Sequence, residues 1–197
     1  MIFSKSDDNL AAIVNILKNG GVAIVPTDTV YGFSGVVDLK GCASLKTDGK
    51  IRKIKGRDEK KPLIQLIAKP DDIFQYTDIE IPENILKFWP GPLTVIVPLK
   101  KDNPLAEEIG TVAFRCPGDL WLRKIVEGCG APLYSTSVNR SGSPVLETFE
   151  EIKAEFEGEA DAIVNDGDKK GSLPSTLILL EEKGFKVLRQ GSIVIEN

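Results

Sequence analysis

Residues 21–32 read Gly21-Val-Ala-Ile-Val-Pro-Thr-Asp-Thr-Val-Tyr-Gly32, an apolar run that ends at a proline and continues as a polar loop. The run Val22–Val25 predicts a short buried strand, because an apolar run bounded by glycine and proline is typical of a strand inside a sheet. The loop from Thr27 to Tyr31 carries two threonine hydroxyls, a carboxylate and a phenol. Such a loop can hydrogen-bond a small polar ligand, or it can satisfy its own backbone as a turn.

Apolar periodicity on both sides of this stretch predicts alternating helices and strands. A first helix is indicated by apolar residues at i, i+3, i+4 and i+7, with Ser6 or Asp7 as its cap and Gly20-Gly21 as its end; these residues are Leu10, Ile13, Val14 and Leu17. Further helices are predicted at Pro82–Phe88, Asp119–Glu127 and Thr148–Phe156. Further strands are predicted at Leu63–Ala68, Leu93–Leu99, Thr111–Arg115, Leu133–Thr136, Ala162–Asn165, Ser175–Leu180 and Lys186–Arg189.

The order of these elements is irregular, and Glu182-Lys183-Gly184 is typical of a tight turn between the last two strands. An irregular alternation of this kind predicts an α/β or α+β fold with a mixed sheet, because a doubly wound parallel sheet alternates strictly. No repeat or flexible linker divides the chain, so a single domain over residues 1–197 is expected.

The chain contains no histidine in 197 residues. This excludes Ser-His-Asp and Cys-His triads and the usual imidazole zinc sites. It also removes the side chain that most often acts as a general base near neutral pH. Any catalysis must therefore use Lys, Arg, carboxylates, hydroxyls, backbone groups or an oxygen-bound metal.

The three cysteines, Cys42, Cys116 and Cys129, are scattered and odd in number. They do not resemble a disulfide framework, and they therefore indicate a reducing compartment such as the cytoplasm. No apolar stretch has the length of a signal peptide or a membrane span, so no membrane partner is expected.

The net charge of −4 averages two opposite stretches. Residues 40–61 hold nine basic and three acidic residues, a balance of +6, and residues 147–168 hold nine acidic residues against one lysine, a balance of −8. The acidic stretch is predicted to be solvated surface. The basic stretch is a candidate for holding phosphates or another polyanion.

Two polar clusters stand out beside the first loop. Lys55-Gly56-Arg57 lies in the basic stretch, and its two cations would point the same way on extended backbone and suit a polyphosphate. Ser135, Ser137 and Asn139 alternate, which on extended backbone would place all three on one face. Arg115 shares a face of its predicted strand with Thr111, so it is either exposed or drawn into a polar cavity.

Taken in order, these blocks resemble the YrdC-like threonylcarbamoyl-AMP synthases of the single-domain, TsaC type. The resemblance covers most of the chain from about Asn19 to Gly191. The matching blocks are residues 21–32, Lys55-Gly-Arg57, Lys61-Pro-Leu-Ile64, Trp89-Pro-Gly-Pro-Leu-Thr94, Val112-Ala-Phe-Arg-Cys-Pro117, Ser135-Thr-Ser-Val-Asn-Arg-Ser-Gly142, Ser175-Thr176 and Val187-Leu-Arg-Gln-Gly191.

The resemblance implies one α/β domain, without an extra C-terminal domain, built on a twisted mixed sheet flanked by helices and containing a large, positively lined concave cleft. It implies a reaction that joins L-threonine, bicarbonate and ATP into threonylcarbamoyl-AMP with release of pyrophosphate, and that requires Mg²⁺. A downstream tRNA threonylcarbamoyl transferase would then use the product to modify position 37 of tRNA.

The resemblance also assigns site residues. ATP would contact Lys55, Arg57, Lys61, Thr111, Ser137, Asn139, Val145 and Arg189. Threonine would contact Thr29, Tyr31, Arg115, Ser135 and Ser175. Lys55 and Arg57 would be the catalytic residues, because cations neutralise the charge that grows on the phosphates, while Mg²⁺ would be held mainly by the phosphates without direct protein ligands.

Two other functions fit the same sequence. One is a divergent paralogue that binds a nucleotide and makes another carbamoyl- or acyl-adenylate; Asp58 after Arg57 and Leu66 in place of a histidine depart from the family pattern in this direction. The other is an RNA-binding or ribosome-associated module that uses the 40–61 basic stretch. The overall acidity disfavours general nucleic-acid binding, which needs clustered Lys and Arg.

Overall fold

A computed structural model of the chain describes residues 1–37, 46–56, 62–103, 106–181 and 183–196. Within them, ten strands form one sheet: β1 Ile2–Ser4, β2 Ala23–Val25, β3 Gly32–Val36, β4 Ile64–Leu66, β5 Leu93–Pro98, β6 Thr111–Arg115, β7 Leu133–Ser137, β8 Ala162–Asn165, β9 Thr176–Glu181 and β10 Gly184–Arg189. The α-helices of the same residues are α1 Leu10–Lys18, α2 Thr47–Lys55, α3 Glu83–Leu86, α4 Ala106–Ile109, α5 Leu120–Cys129 and α6 Phe149–Phe156.

The strand order across the sheet is β1-β8-β2-β3-β7-β4-β6-β5-β9-β10. Strand β8 runs parallel to β1 and β2, and β4 and β6 are parallel, whereas β3 is antiparallel to both β2 and β7. The last two strands form an antiparallel hairpin, as the turn residues at 182–184 predict. The predicted mixed sheet is therefore confirmed.

The helices mostly follow the predicted signals. Asp119 caps α5 by accepting a hydrogen bond from the Leu122 backbone N–H at 3.1 Å, and Thr148 and Glu151 form a capping box at the start of α6. The predicted cap of α1 is wrong: a 3-10 turn at Asp7–Asn9 precedes the helix, and neither Ser6 nor Asp7 caps it with its side chain. The predicted helix Pro82–Phe88 is shorter, because only Glu83–Leu86 is α-helical.

The sheet has two faces, and each face can be divided into a half from β1 to β4 and a half from β6 to β10, which gives four quarters. Three apolar clusters of the described residues fill three of these quarters. On the half from β1 to β4, α1 and α5 pack on one face, and α2 and α6 pack on the other. On the half from β6 to β10, the 3-10 helix Pro70–Gln75 and α3 pack on one face. Residues paired across neighbouring strands share a face, which places Ile96, Ala113 and Leu179 together in the fourth quarter.

The fourth quarter holds none of the three apolar clusters of the described residues, and we call it the open quarter. Ile96, Leu177 and Leu179 remain partly exposed there, although their neighbours along each strand are buried in the cluster on the opposite face. Thr111 is exposed at one end of the same quarter, and Arg115 is buried at the other end of β6. This open quarter borders the cavity described below.

The acidic stretch from residue 147 to 168 is more than solvated surface. The Asp161 carboxylate accepts a hydrogen bond from the Val22 backbone N–H at 2.7 Å, next to β2. Glu155 and Glu159 hold the Arg140 guanidinium at 2.6 and 2.5 Å, and that guanidinium lies 4.6 Å from the centre of the Phe156 ring. The interpretation of this stretch as surface alone was incomplete, since several of its carboxylates tie α6 to the sheet and the loops.

Across the described ranges, none of the helices has the length and apolar character that crossing a membrane requires.

Replacement of Phe156 by alanine should destabilise the fold strongly. Phe156 is fully buried and packs edge-to-face on Phe33, with ring centres 4.9 Å apart. Truncating such a buried aromatic side chain costs about 3–5 kcal/mol of unfolding free energy, as urea denaturation would measure. The matched control is Phe74→Ala at a 41% exposed ring, for which a loss below about 1 kcal/mol is expected; equal losses in the two variants would contradict the assigned core.

Candidate functional site

A cavity of about 560 Å³ is lined by residues of six strands, β3, β4, β6, β7, β9 and β10, together with the loop after β2. Its wall combines the loop after β2, the end of β7, the segment before β9 and the end of β10. Eight residues that the sequence assigned to substrates line it: Thr29, Tyr31, Arg115, Ser135, Ser137, Val145, Ser175 and Arg189. The fold therefore brings together side chains that are up to 160 positions apart in the sequence.

Arg115 is the buried cation of this cavity. Its side chain is 6% exposed, and its guanidinium donates to the Asp28 carboxylate at 2.6 Å and to the Thr29 hydroxyl at 2.8 Å. The Nε–H donates to the backbone carbonyl of Gly91 at 3.2 Å. Of the two alternatives that the sequence left open for Arg115, the structure selects the polar cavity, because a buried guanidinium needs such partners.

A second guanidinium, that of Arg189, reaches the same cavity from β10. It donates to the Ser175 carbonyl at 2.9 and 3.3 Å, and the Ser175 hydroxyl in turn lies 2.7 Å from the Thr94 hydroxyl. The pKa of Arg189 is lowered from its usual value, first by burial and second by repulsion from Arg115. Two guanidinium groups near enough to repel one another favour an anionic ligand between them.

Lys55 organises the loop behind Ser137. Its ammonium donates to the backbone carbonyls of Ser137 and Asn139 and to the Asn139 side-chain oxygen, the last two at 3.0 Å. The Ser137 hydroxyl donates to that same Asn139 oxygen at 2.8 Å, and the Asn139 amide donates to the carbonyls of Arg140 and Ser143. Lys55 is 3% exposed and is not among the lining residues.

Two geometric expectations at this loop are wrong. Lys55 is the last residue of α2 and Gly56 follows it in the left-handed region at φ 62°, so the backbone is not extended at these two residues; Arg57 lies outside the described residues. Asn139 lies beyond the end of β7, so it does not continue the face of Ser135 and Ser137 but folds back onto Ser137.

Tyr31 forms part of the cavity wall with its ring fully buried. Its hydroxyl donates to the Gly167 carbonyl at 2.7 Å and accepts from the Asp166 N–H at 2.8 Å. Burial is the main cause of the raised pKa of this phenol. Tyr31 therefore attaches the 166–174 segment, which supplies Ser172 and Pro174 to the wall, to the loop after β2.

Comparison with known proteins assigns this architecture to a family. A family model described as "Telomere recombination" and covering Sua5, YciO and YrdC matches residues 15–191. The chain belongs to the Sua5/YciO/YrdC family. The family resemblance of the sequence blocks is thereby confirmed.

Several Sua5/YciO/YrdC proteins are similar over nearly the whole chain. The threonylcarbamoyl-AMP synthase of Bacillus subtilis is 32% identical over 203 residues, covering 98% of this chain and 56% of that protein. A Methanocaldococcus jannaschii protein that is provisionally named for the same activity is 30% identical over 202 residues, covering 100% of this chain and 94% of that protein. The structure of Pyrococcus abyssi Sua5 complexed with L-threonine superposes with a TM-score of 0.83 at 27% identity, covering 97% of this chain and 57% of that one.

These comparisons confirm the predicted α/β fold with a mixed sheet. The chain spans little more than half the length of the B. subtilis and P. abyssi relatives.

The remaining predicted site residues lie elsewhere. Thr111 shares a sheet face with Arg115 but lies at the opposite end of β6, exposed and not among the lining residues. Asn139 and Lys55 lie behind Ser137, as described above. Arg57 and Lys61 fall outside the described residues, and so does Cys42; the described chain resumes at Pro62, which lines the cavity.

Sequence reasoning missed several residues of the site in this family member. Thr94 contacts Ser175, and Asp28 contacts Arg115. Both residues belong to sequence blocks that match the family. The sequence therefore marked their positions, but it did not reveal which residues they contact. Glu147, counted as part of the acidic surface, lines the cavity and accepts a hydrogen bond from the Gly171 N–H at 3.3 Å.

The described part of the cavity is poor in the side chains that bind metal ions. Among the described residues, no three Cys, Asp or Glu side chains gather as a cluster that could hold a metal ion. The lining residues are mostly hydroxyl, apolar and cationic, with Glu147 as the carboxylate.

The described cysteines are not nucleophiles at neutral pH. Burial raises the pKa of the Cys116 thiol to about 12 and that of Cys129 to about 11, and both are free thiols. The reactive form of cysteine is the thiolate, which such values suppress.

Replacement of Lys55 by methionine should lower stability as well as nucleotide binding. It leaves the acceptors on Ser137 and Asn139 without their buried donor, which costs about 1–3 kcal/mol of unfolding free energy by urea denaturation. The matched control, Lys53→Met, changes an exposed lysine of the same helix and should stay within about 0.5 kcal/mol. Loss of nucleotide binding with unchanged stability would contradict the role of Lys55 in holding the 137–139 loop. It would indicate instead that Lys55 binds the phosphates directly.

Proposed function

We propose that this chain is an L-threonylcarbamoyladenylate synthase, a nucleotidyltransferase that joins L-threonine, bicarbonate and ATP and releases pyrophosphate. The observation that carries the proposal is the convergence of Arg115 and Arg189 with the hydroxyls of Ser135, Ser137 and Ser175 on one cavity. A zwitterionic amino acid and a polyphosphate are the ligands that such a wall recognises. The names of the family relatives support the same activity, as does the Sua5 structure with L-threonine.

In this proposal the amino acid binds at the end of the cavity formed by Thr29, Arg115, Ser135 and Ser175. Two guanidinium N–H groups of Arg115 have no acceptor within the described chain and can donate to a carboxylate. Tyr31 shapes this end through its buried ring, because its hydroxyl is already bound to the 166–174 segment.

ATP would occupy the rest of the cavity and its rim, beside Ser137, Val145 and Arg189. Asn139 would act through the loop that Lys55 holds, and Thr111 would meet the nucleotide only where it extends over the open quarter of the sheet. We assign Arg57 and Lys61 to the phosphates from the sequence blocks alone. Arg57 remains the proposed catalytic cation at the phosphates, whereas Lys55 would contribute its charge from behind the 137–139 loop that it holds.

The chemistry requires no histidine. The ammonium of threonine gives up one proton, and one proton converts bicarbonate into CO₂ and water. The amine lone pair then forms a bond to the carbon of CO₂, and the nitrogen releases its second proton to solvent, which gives a carbamate. A carbamate oxygen then forms a bond to the α-phosphorus of ATP, and the bond to the pyrophosphate leaving group breaks. The residues of the chain orient the reactants and offset the charge on the phosphates; orientation alone can supply about 7–11 kcal/mol of the barrier at best. Mg²⁺, when bound through ATP, would neutralise further phosphate charge.

The proposal includes the fate of the product and the setting of the enzyme. A separate tRNA threonylcarbamoyl transferase would consume the adenylate, residues 1–197 would act as a single domain, and the free thiols fit the cytoplasm. Direct RNA contact through residues 40–61 is less favoured, because Lys50 donates to the Gly20 carbonyl at 2.5 Å and Arg52 pairs with Asp48 at 3.8 Å. These cations are thereby partly engaged within the protein.

Pyrophosphate release should depend on every substrate. With ATP, Mg²⁺, L-threonine and bicarbonate present, release should fall by about tenfold or more when either threonine or bicarbonate is omitted, because the attacking carbamate then cannot form. A coupled pyrophosphate assay with bicarbonate-depleted buffer measures this directly.

The same assay separates the rival functions. Release that ignores threonine but requires another amine or carbamoyl donor would indicate the paralogous adenylate-forming enzyme. No release with any donor, together with salt-sensitive RNA binding that Lys50, Arg52 and Lys53 substitutions weaken, would indicate the RNA-binding module. Either result contradicts the synthase.

A further inference from the structure

We propose that Asp28 and Thr27 are positioning residues that fix the hydrogen-bond polarity of the amino-acid end of the cavity. Asp28 fixes the direction of the Arg115 guanidinium, whose N–H groups are donors only, and Thr27 leaves Thr29 with only an acceptor for a ligand. This inference rests on the proposed function, because it takes an α-amino acid as the ligand. Neither residue needs to touch the substrate for the effect.

Asp28 fixes the orientation of Arg115 from behind. One carboxylate oxygen accepts from Arg115 Nη2 at 2.6 Å, and the other accepts from the Gly118 N–H at 2.9 Å. A Cβ atom at position 118 would lie 3.0 Å from that second oxygen, so glycine is what allows the backbone to approach this closely. Asp28 is not among the lining residues, and its side chain is 19% exposed.

The donors of Arg115 can be counted. A guanidinium has five N–H groups. Within the described chain, three of them are used: Nε–H to Gly91, one Nη1–H to Thr29 and one Nη2–H to Asp28. One N–H on each terminal nitrogen is left for a ligand, and a carboxylate is the group that accepts both best.

The protons of the two threonines can also be counted. Thr27 Oγ1 donates its single proton to the Val30 carbonyl at 2.8 Å, so toward its other neighbours it can only accept. It accepts from the Thr29 backbone N–H at 3.0 Å, and it lies 2.9 Å from Thr29 Oγ1. Thr29 must therefore donate its own proton to Thr27.

Thr29 is left with lone pairs alone. One lone pair of its hydroxyl oxygen accepts from Arg115 at 2.8 Å. Because Thr29 lies in the cavity wall, the other lone pair can accept from a ligand in the cavity. Both threonines are at most 5% exposed, so water has little access to rearrange this chain of hydrogen bonds.

This polarity suits the proposed reaction. An amine that donates an N–H to Thr29 is oriented without losing its lone pair, which must stay free to attack CO₂. A hydroxyl that could donate would instead bind that lone pair and lower the nucleophilicity of the amine. Arg115 and Thr29 thus distinguish the carboxylate of an α-amino acid from its amine.

The test compares L-threonine binding by titration calorimetry in wild type, Asp28→Asn, Thr27→Val and Thr27→Ser. Asp28→Asn keeps the shape but removes the charge that holds Arg115, and Thr27→Val releases the Thr29 proton. Both should weaken L-threonine binding by about tenfold or more, while ATP affinity changes by less than about twofold. Thr27→Ser retains the hydroxyl and should bind within about threefold of wild type.

Turnover gives a second readout. In the pyrophosphate assay the same two variants should raise KM for threonine far more than they lower kcat at saturating threonine, which general loss of folding would not produce. Glu127→Gln is the matched control, since it breaks the exposed 2.7 Å pair with Lys69, and it should bind threonine like wild type.

The outcomes separate the two proposals. Wild-type affinity for threonine in both Asp28→Asn and Thr27→Val overturns this inference alone, and so does failure of Thr27→Ser to restore binding. Absence of L-threonine binding in wild type overturns the proposed function itself. If Asp28→Asn does not fold, the contrast between Thr27→Val and Thr27→Ser still decides the matter.

Discussion

The burial of the Arg115 guanidinium is the constraint on which the site depends. A cation that is 6% exposed must be paired and hydrogen-bonded, and no single segment supplies enough acceptors. The acceptors come from the loop after β2 and from the turn at Gly91. Burial of the Arg115 charge therefore requires both segments to pack against the end of β6. Arg115 and Thr29, which are fixed by these contacts, then form part of the cavity wall.

Much of the fold could be predicted because its strands are apolar runs. Thr111–Arg115 and Ala162–Asn165 have the predicted bounds, and Val22–Val25 differs by one residue. The strand β3 was missed, since Gly32, Ser34 and Gly35 break any apolar alternation. It is a strand because β2 and β7 pair with it on both sides, and such long-range pairing leaves no local signal.

The candidate site divides in the same way. Residue blocks identified which side chains would gather, and eight of them do line one cavity. They could not reveal contacts between distant blocks, such as Asp28 with Arg115 or Lys55 with the carbonyls of the 137–139 loop. The extended geometry considered for Lys55 was wrong, because Lys55 ends a helix. A lysine-rich helix end has no sequence pattern that distinguishes it from an extended basic stretch. Pairwise contact is a property of the folded chain, whereas residue type and order belong to the sequence.

The open quarter of the sheet has a thermodynamic consequence. A helix laid over Ile96, Leu177 and Leu179 would bury apolar surface and stabilise the fold, as helices do over the other three quarters. It would also fill the space beside Leu177, which lines the cavity. Within the described residues this stretch of β-sheet therefore stays exposed on one side. A ligand that covered it would bind the folded chain and not the unfolded one, and would thereby raise the melting temperature.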